Sequence, residues 1–220
     1  MWSVPVKRPT VIWKPHPSRR GLRHDGVIRE LATDELEAGL DDVRQAPRDQ
    51  GRVELLVRRP AVDVRETRDE LLLDLVEGVV GDTWRVRGDS RTADGSANPE
   101  VQVTVMNARV ARLMSDGNDD RWKLAGDQIY ADFDLSQENL PAGSRLQIGS
   151  AVLEISAHPH TGCAKFESRF GADAMRFVNS PTGRALRLRG VNCKVVIAGI
   201  VRVGDTITKE PIVTNEPMSE

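Results

Sequence analysis

The chain has 220 residues, the length of one domain with a small appendage. Its net charge is −2 at pH 7, from 31 lysines and arginines against 33 aspartates and glutamates, so it lacks the excess of cations that binds nucleic acid. Two cysteines are too few for a disulfide framework, and the sequence has no apolar run that crosses a bilayer and no secretory signal. We therefore expect a cytoplasmic protein that binds neither nucleic acid nor membrane.

Residues 1–50 are predicted to form an extended arm followed by a short helix. Residues 1–24 are basic, contain no acidic residue and carry four prolines, which prevent a regular helix or a central strand. The arm either packs over the domain or binds an anionic partner. Asp34 is expected to cap the short helix, and Pro47 to end it.

Residues 51–208 are predicted to form one β-rich domain, followed by a C-terminal tail at 209–220. Short apolar or alternating segments with glycine-rich turns between them are typical of strands. Residues 193–201 are nearly all apolar and are expected to form one central strand, and helical turns are expected on either side of Gly171. Many short strands favour a closed or folded-over sheet, so the fold class is mainly β with short helices (α+β).

Cys163 is the residue most informative about function. It follows a predicted strand, in the sequence His-Pro-His-Thr-Gly-Cys-Ala-Lys-Phe of residues 158–166. Cations near a thiol lower its pKa, which makes the cysteine a nucleophile or a ligand for a soft metal. The potential cations nearby are His158, His160, Lys165 and Arg169.

The alternative for either cysteine is a structural role, because free cysteines are among the most buried residues. Cys193 fits this alternative, since it alternates with Val195 and Ile197 in an apolar segment. We predict that Cys193 faces inward and has no chemical role.

A series of short motifs lies, in chain order, at residues 78–82, 106–110, 126–128, 136–140, 146–155, 163–166, 190–195 and 199–205. In this order the motifs make the sequence similar to the MOSC domain, which is named after the C-terminal domain of molybdenum cofactor sulfurase. The resemblance spans about residues 53 to 208. It implies a β-barrel-like core with peripheral helices, in which Cys163 handles sulfur or molybdenum cofactor.

In the first hypothesis the protein is a sulfur carrier. Cys163 accepts persulfide sulfur from a pyridoxal-phosphate-dependent cysteine desulfurase, with Lys165 and His160 as the other expected catalytic residues. No region resembles a desulfurase domain, so a partner would bind the pyridoxal phosphate. The partner is such a desulfurase or another protein of the molybdenum cofactor pathway.

In the second hypothesis the protein is a molybdenum-cofactor-binding reductase of N-hydroxylated compounds, similar to the mitochondrial amidoxime-reducing component. Cys163 would be the molybdenum ligand, and arginines would bind the pterin phosphate. The expected cofactor-binding residues are Arg109, Arg184, Arg187, Arg189, His158 and Arg169.

Two further observations bear on this second hypothesis. Arg187 and Arg189 are expected to share one face of a strand. Stand-alone bacterial relatives often carry a His-Gly-Gly-Pro segment after the first Gly-Asp turn, and residues 84–90 lack it, which weakens the reductase hypothesis. A third hypothesis is a binding or structural domain with an inert cysteine.

Overall fold

The computed structural model describes residues 29–211. The predicted arm, except its last residues before the helix, and most of the predicted C-terminal tail lie outside the described residues. Within 29–211, no helix has the length and apolar character needed to span a membrane.

Eleven strands and six α-helices are found in the described part of the chain. The strands are β1 (Gln50–Arg58), β2 (Glu66–Arg68), β3 (Glu70–Asp74), β4 (Gly78–Val79), β5 (Val103–Asn107), β6 (Ile129–Asp132), β7 (Arg145–Ile148), β8 (Ala151–Ile155), β9 (Val191–Ile197), β10 (Gly199–Arg202) and β11 (Thr206–Lys209). The α-helices are α1 (Thr33–Ala38), α2 (Leu40–Arg44), α3 (Trp84–Arg87), α4 (Ala108–Met114), α5 (Ala164–Asn179) and α6 (Pro181–Ala185). Two 3₁₀ segments are Pro99–Val101 and Asp119–Ala125.

Seven strands close into a barrel, in the order β1-β6-β5-β9-β8-β7-β11 and back to β1. Only β5 and β6 run parallel, and the other pairs of the ring are antiparallel. Closure leaves few strand edges exposed, which matches the predicted barrel-like, mainly β fold with short helices.

β10, β3 and β4 form a small second sheet. This sheet contains the end of the segment 193–201, which we expected to be one central strand. That prediction is wrong, because the chain leaves the barrel after Ile197 and β10 pairs with β3 instead. The physical reason lies at the turn between β7 and β8, where Ser150 takes up both backbone groups of Ile200: its N–H donates to the Ile200 carbonyl and its Oγ accepts from the Ile200 N–H. Glycine at 199 permits this close approach, because a Cβ there would lie 2.5 Å from the backbone of Ser150.

The core has two parts, one inside the barrel and one between the barrel and the helices. The barrel interior is filled by alternating side chains of its strands, such as Val53, Leu146 and Ile207. The second part packs α1, α2, α4 and α5 against the outward face of the barrel. This second layer fixes α5, the helix that begins beside Cys163.

The predicted short helix near residue 34 is two helices separated at Gly39. A Cβ at Gly39 would lie 2.4 Å from Leu113, so the helices cross α4 closely at this point. The helix begins after Ala32, whose N–H donates to the Glu35 carboxylate, and not after Asp34 as expected. The break predicted at Gly171 is confirmed, since this residue interrupts α5 with φ of 88°.

Candidate functional site

Cys163 lies at the surface, where the chain enters α5. It is the residue immediately before the helix, with extended backbone angles, and its carbonyl accepts the first helical hydrogen bond from Glu167 at 2.9 Å. The residue is exposed. A protein partner can therefore reach the thiol.

Three hydrogen bonds hold the segment that leads from β8 to Cys163. The N–H of His158 donates to Ser156 Oγ, and Asn192 donates to the His158 carbonyl at 3.1 Å. The N–H of Gly162 donates to Asn179 at 3.1 Å. The segment is thus fixed from both β9 and the end of α5, which limits the positions available to the thiol.

Lys165 and Arg169 lie one turn apart on α5, and both contact Asp63. The distances from Lys165 Nζ and Arg169 Nη2 to Asp63 Oδ1 are 2.9 and 3.0 Å. Arg169 also donates to the Leu124 carbonyl at 2.9 Å. The two cations nearest to Cys163 along the helix are thus partly balanced by one exposed carboxylate, whose pKa Lys165 lowers through hydrogen bonding and charge.

His160 faces a buried ion pair of Asp127 and Arg189. Arg189 Nη1 lies 2.6 Å from Asp127 Oδ2, and His160 Nδ1 lies 3.5 Å from Asp127 Oδ1. Burial, followed by the charge of Arg189, lowers the pKa of His160 to about 3. His160 is therefore neutral at neutral pH and adds no positive charge beside Cys163, unlike the potential cation of the sequence analysis.

Asp127 is a residue that the sequence analysis did not single out, although it lies in the motif at 126–128. It is completely buried, and it links Arg189 to His160. The Arg189 guanidinium also lies over the Phe166 ring, 5.0 Å from its centroid. Asp127 thereby connects the segment before Cys163 with the first turn of α5.

Two further arginines, which the sequence analysis also missed, lie beside Gly126, the residue before Asp127. Arg59 binds Asp82 through two nitrogens and donates to the Gly126 carbonyl at 3.0 Å. A Cβ placed on Gly126 would lie 3.7 Å from Arg65 Nη2. Arg65 Nε is buried and, within residues 29–211, has no hydrogen-bond partner.

We call Arg59, Arg65, Lys165 and Arg169 the basic cluster. Arg59, Arg65 and Arg169 lie around residues 124–126, and Lys165 joins them through Asp63. The four positive charges face the two carboxylates Asp63 and Asp82. Burial, then the charges of Arg169 and Arg59, lower the pKa of Arg65. Crowded guanidinium groups of this kind are stabilised when an anion binds between them.

A cleft of about 200 Å³ lies on the β9 side of the segment 156–161. His158, His160, Arg184 and Arg187 line it. The expectation that Arg187 shares a strand face with Arg189 is wrong, because Arg187 lies in a turn with φ of 49° before β9 begins. Its guanidinium donates to the carbonyls of Leu135 and Leu140, which fixes it in that turn.

Arg109 is not among the residues that line this cleft. It binds the Asp132 carboxylate through two nitrogens at 2.7 and 3.2 Å and donates to the Asp42 carbonyl. The hydrogen bond and charge of Asp132 raise its pKa. These contacts join α2 to β6.

Cys193 is completely buried in β9, as the sequence predicts. Burial raises the pKa of its thiol to about 12. In the described part of the chain there is no group of three or more histidine, cysteine, aspartate or glutamate side chains that could hold a metal ion.

Comparison with known families confirms the resemblance read from the sequence. The model of the MOSC domain matches residues 123–208, which include β6 to β11, α5 and both cysteines. No curated protein matches the chain.

Solved structures share the fold at low sequence identity. The YUAD protein from Bacillus subtilis is 18% identical, with a TM-score of 0.54 over 72% of this chain and 94% of that one. A protein described only as hypothetical is 20% identical, with a TM-score of 0.51 over 76% and 71% of the two chains. YiiM from Escherichia coli is 18% identical over 74% and 72% of the two chains, with a TM-score of 0.48.

Proposed function

We propose that the protein is a sulfur carrier in which Cys163 accepts persulfide sulfur from a pyridoxal-phosphate-dependent cysteine desulfurase. The observation that carries this proposal is the exposed thiol at the start of α5, on a segment fixed by three hydrogen bonds. A carrier thiol must be reached by the cysteine of another protein, and an exposed position on a fixed segment permits that.

The transfer step needs no external oxidant or reductant. The Cys163 thiolate attacks the terminal sulfur of the donor persulfide, a new S–S bond forms on Cys163, and the S–S bond of the donor breaks. The donor cysteine leaves as a thiolate, so the sulfur atom moves without net oxidation. Lys165 and Arg169, two members of the basic cluster, lie in the first turns of the helix that begins after Cys163, so they are placed to attract an anionic donor site towards the thiol.

Mass spectrometry after incubation with a cysteine desulfurase and cysteine tests the proposal. We expect about 32 Da added to the peptide that contains Cys163 and lost on reduction, because persulfidation is a reversible thiol modification. Cys163→Ser should abolish the addition, and Cys193→Ser should retain it.

Lys165→Ala should slow loading several-fold, since it removes a charge near the thiol, and Arg176→Ala, an exposed arginine later on α5, is the matched control. Sulfur found on Cys193 and not on Cys163 would contradict the carrier proposal.

The second candidate function is binding of molybdenum cofactor, and the basic cluster is the observation that favours it. Four cations against two carboxylates, with a buried and unpaired Arg65 Nε in the described structure, fit a phosphate group. An exposed thiolate suits molybdenum, a metal whose other ligands come from the cofactor.

In this second function Cys163 would hold the metal, and the basic cluster would bind and orient the pterin phosphate. The bound cofactor would supply the redox chemistry for reducing N-hydroxylated compounds. The segment at 84–90 still lacks the histidine of the bacterial relatives, so we place this function second.

Elemental analysis of protein made in a cofactor-competent host separates the two functions. Stoichiometric molybdenum that is lost in Cys163→Ala and in Arg65→Gln, together with no persulfide, would establish the second function over the first. Arg112→Gln, an exposed arginine on α4 paired with Glu54, is the control for Arg65→Gln. Protein with neither molybdenum nor persulfide would favour the domain with an inert cysteine.

A further inference from the structure

The cleft on the β9 side of residues 156–161 is separate from the basic cluster, to which the second candidate function assigns the pterin phosphate. Arg184, Arg187 and His158, which the sequence analysis expected to bind that phosphate, line the cleft instead. Arg184 and Arg187 bring two positive charges to it, and His158 and His160 bring two imidazoles. Among the described residues that line it, none is acidic. The cleft is therefore electropositive, and the positive charge is not balanced by a carboxylate in its wall.

The remaining wall of the cleft is partly apolar. Val178 from the end of α5 and Val191 from the start of β9 are both buried and line it. Ligand sites commonly combine apolar walls with a few polar groups that fix the orientation. This combination suits an anionic group attached to a small apolar body better than it suits an inorganic ion.

Arg187 shows that the cleft is built and not incidental. Its backbone has φ of 49°, which a side chain other than glycine adopts at a cost. The Leu135 and Leu140 carbonyls hold its guanidinium through Nη1 alone. Arg187 lines the cleft and is held in one position there, because its backbone and Nη1 are fixed.

We infer that this cleft binds a small organic anion, with the anionic group at Arg184 and Arg187 and the apolar part against Val178 and Val191. The site adjoins Cys163 through residues 161 and 162, but Cys163 does not line it. The inference goes beyond the proposed function, and the two can fail separately.

Titration of the full chain with benzoate, followed by NMR chemical shifts, tests the inference, with neutral benzamide as the isosteric control. Benzoate should bind in the millimolar range, and benzamide at least tenfold more weakly, because the charge-assisted hydrogen bonds to arginine are lost. Phenyl phosphate and inorganic phosphate are the companion probes. Binding of phenyl phosphate without binding of benzoate would identify a phosphate monoester as the anion. Inorganic phosphate that binds as tightly as phenyl phosphate would overturn the role of the apolar wall.

Two variants assign the binding to the cleft. Arg184→Gln removes a charge from an exposed helix position and should weaken benzoate binding about tenfold. Ala157→Trp places a large side chain at an exposed position of the wall and should abolish binding. Arg176→Gln, outside the cleft, should leave binding unchanged.

Unchanged affinity in both cleft variants, or no benzoate and no phenyl phosphate binding in the wild type, would overturn the inference. Cys163→Ser separates it from the carrier proposal, since this variant should bind benzoate normally while it loses the persulfide. Loss of benzoate binding in Cys163→Ser with intact binding in Arg184→Gln would place the anion at the thiol and not in the cleft.

Discussion

The two cysteines occupy opposite environments within the same matched domain. Cys163 is exposed at the junction of a loop and a helix, where hydrogen bonds to Ser156, β9 and α5 fix the preceding backbone. Cys193 is completely buried in a strand whose neighbours are apolar. The difference shows that the place of a cysteine in the fold, which sets the burial of its thiol, decides whether the thiol can react.

The side chains that support the two cysteines differ as well. Cys193 belongs to the apolar cluster that fills the barrel interior. The loop before Cys163 instead rests on buried charges, because Asp127 contacts both His160 and Arg189. Substitutions that conserve volume in an apolar interior cost little stability, whereas removal of one partner of a buried ion pair is strongly destabilising, because it leaves an unpaired buried charge.

The largest expected difference between the two environments is in thiol reactivity. Burial raises the pKa of Cys193 from its ordinary value of 9.0 to about 12, so its thiolate fraction at neutral pH falls about a thousandfold. Alkylation of the folded protein, followed by peptide mass spectrometry, should label Cys163 and leave Cys193 unlabelled until denaturant is added. Faster labelling of Cys193 would reverse the assignment of the reactive thiol.

The second prediction concerns the buried charges below the Cys163 loop. Asp127→Ala leaves Arg189 buried without its carboxylate and should lower the free energy of unfolding by about 3–5 kcal/mol. Denaturant titration measures the change.

Asp41→Ala is the control, because Asp41 forms an exposed pair with Arg44 and should cost about 0.5 kcal/mol or less. The double variant Asp127→Leu with Arg189→Met should recover much of the loss, since it leaves no unpaired charge. A double variant as unstable as Asp127→Ala would mean that the loop depends on shape and not on charge.

The third prediction compares the same substitution at both cysteines. Cys193→Ser buries a hydroxyl in the barrel interior and should cost about 1–3 kcal/mol in the free energy of unfolding. Cys163→Ser places the hydroxyl in solvent at an exposed site and should change stability by less than about 0.5 kcal/mol. The reverse order in a denaturant titration would make Cys163 the structural cysteine.

Local sequence patterns predicted the features that depend on residues close together in the chain. The position of Cys163 before a helix, the break at Gly171 and the inward orientation of Cys193 follow from turns, glycine and alternation. The family resemblance added the barrel, which no single segment specifies. Closure depends on the pairing of β1 with β11, which join distant parts of the chain.

The contacts that build the candidate site were not predictable, because they are distant in sequence. Asp63 meets Lys165 across 102 positions, and Arg189 meets Asp127 across 62. The alternation of Arg187 and Arg189 suggested a strand, but the positive φ of Arg187 replaces the strand with a turn. The sequence around Cys163 identifies which residue types lie near the thiol along the chain. Their ion-pair partners and their burial are seen only in the folded structure.

The last prediction concerns the pH dependence of stability, which the buried histidine below the Cys163 loop should produce and the apolar barrel interior should not. The pKa of His160 falls from its ordinary value of 6.5 to about 3 in the folded protein. Between these values the unfolded chain binds more protons than the folded one, so stability rises with pH and is lost as pH falls below about 6.5.

At about pH 5.5 the loss that His160 contributes should be about 1 kcal/mol relative to about pH 7.5. His160→Gln keeps a neutral polar side chain that does not titrate, so its stability should fall less than that of the wild type over this range. His158→Gln makes the same change at the exposed neighbour and is the matched control. Urea titrations at the two pH values measure the difference, and identical pH profiles for His160→Gln and the wild type would show that burial and the charge of Arg189 do not hold this imidazole in its neutral form.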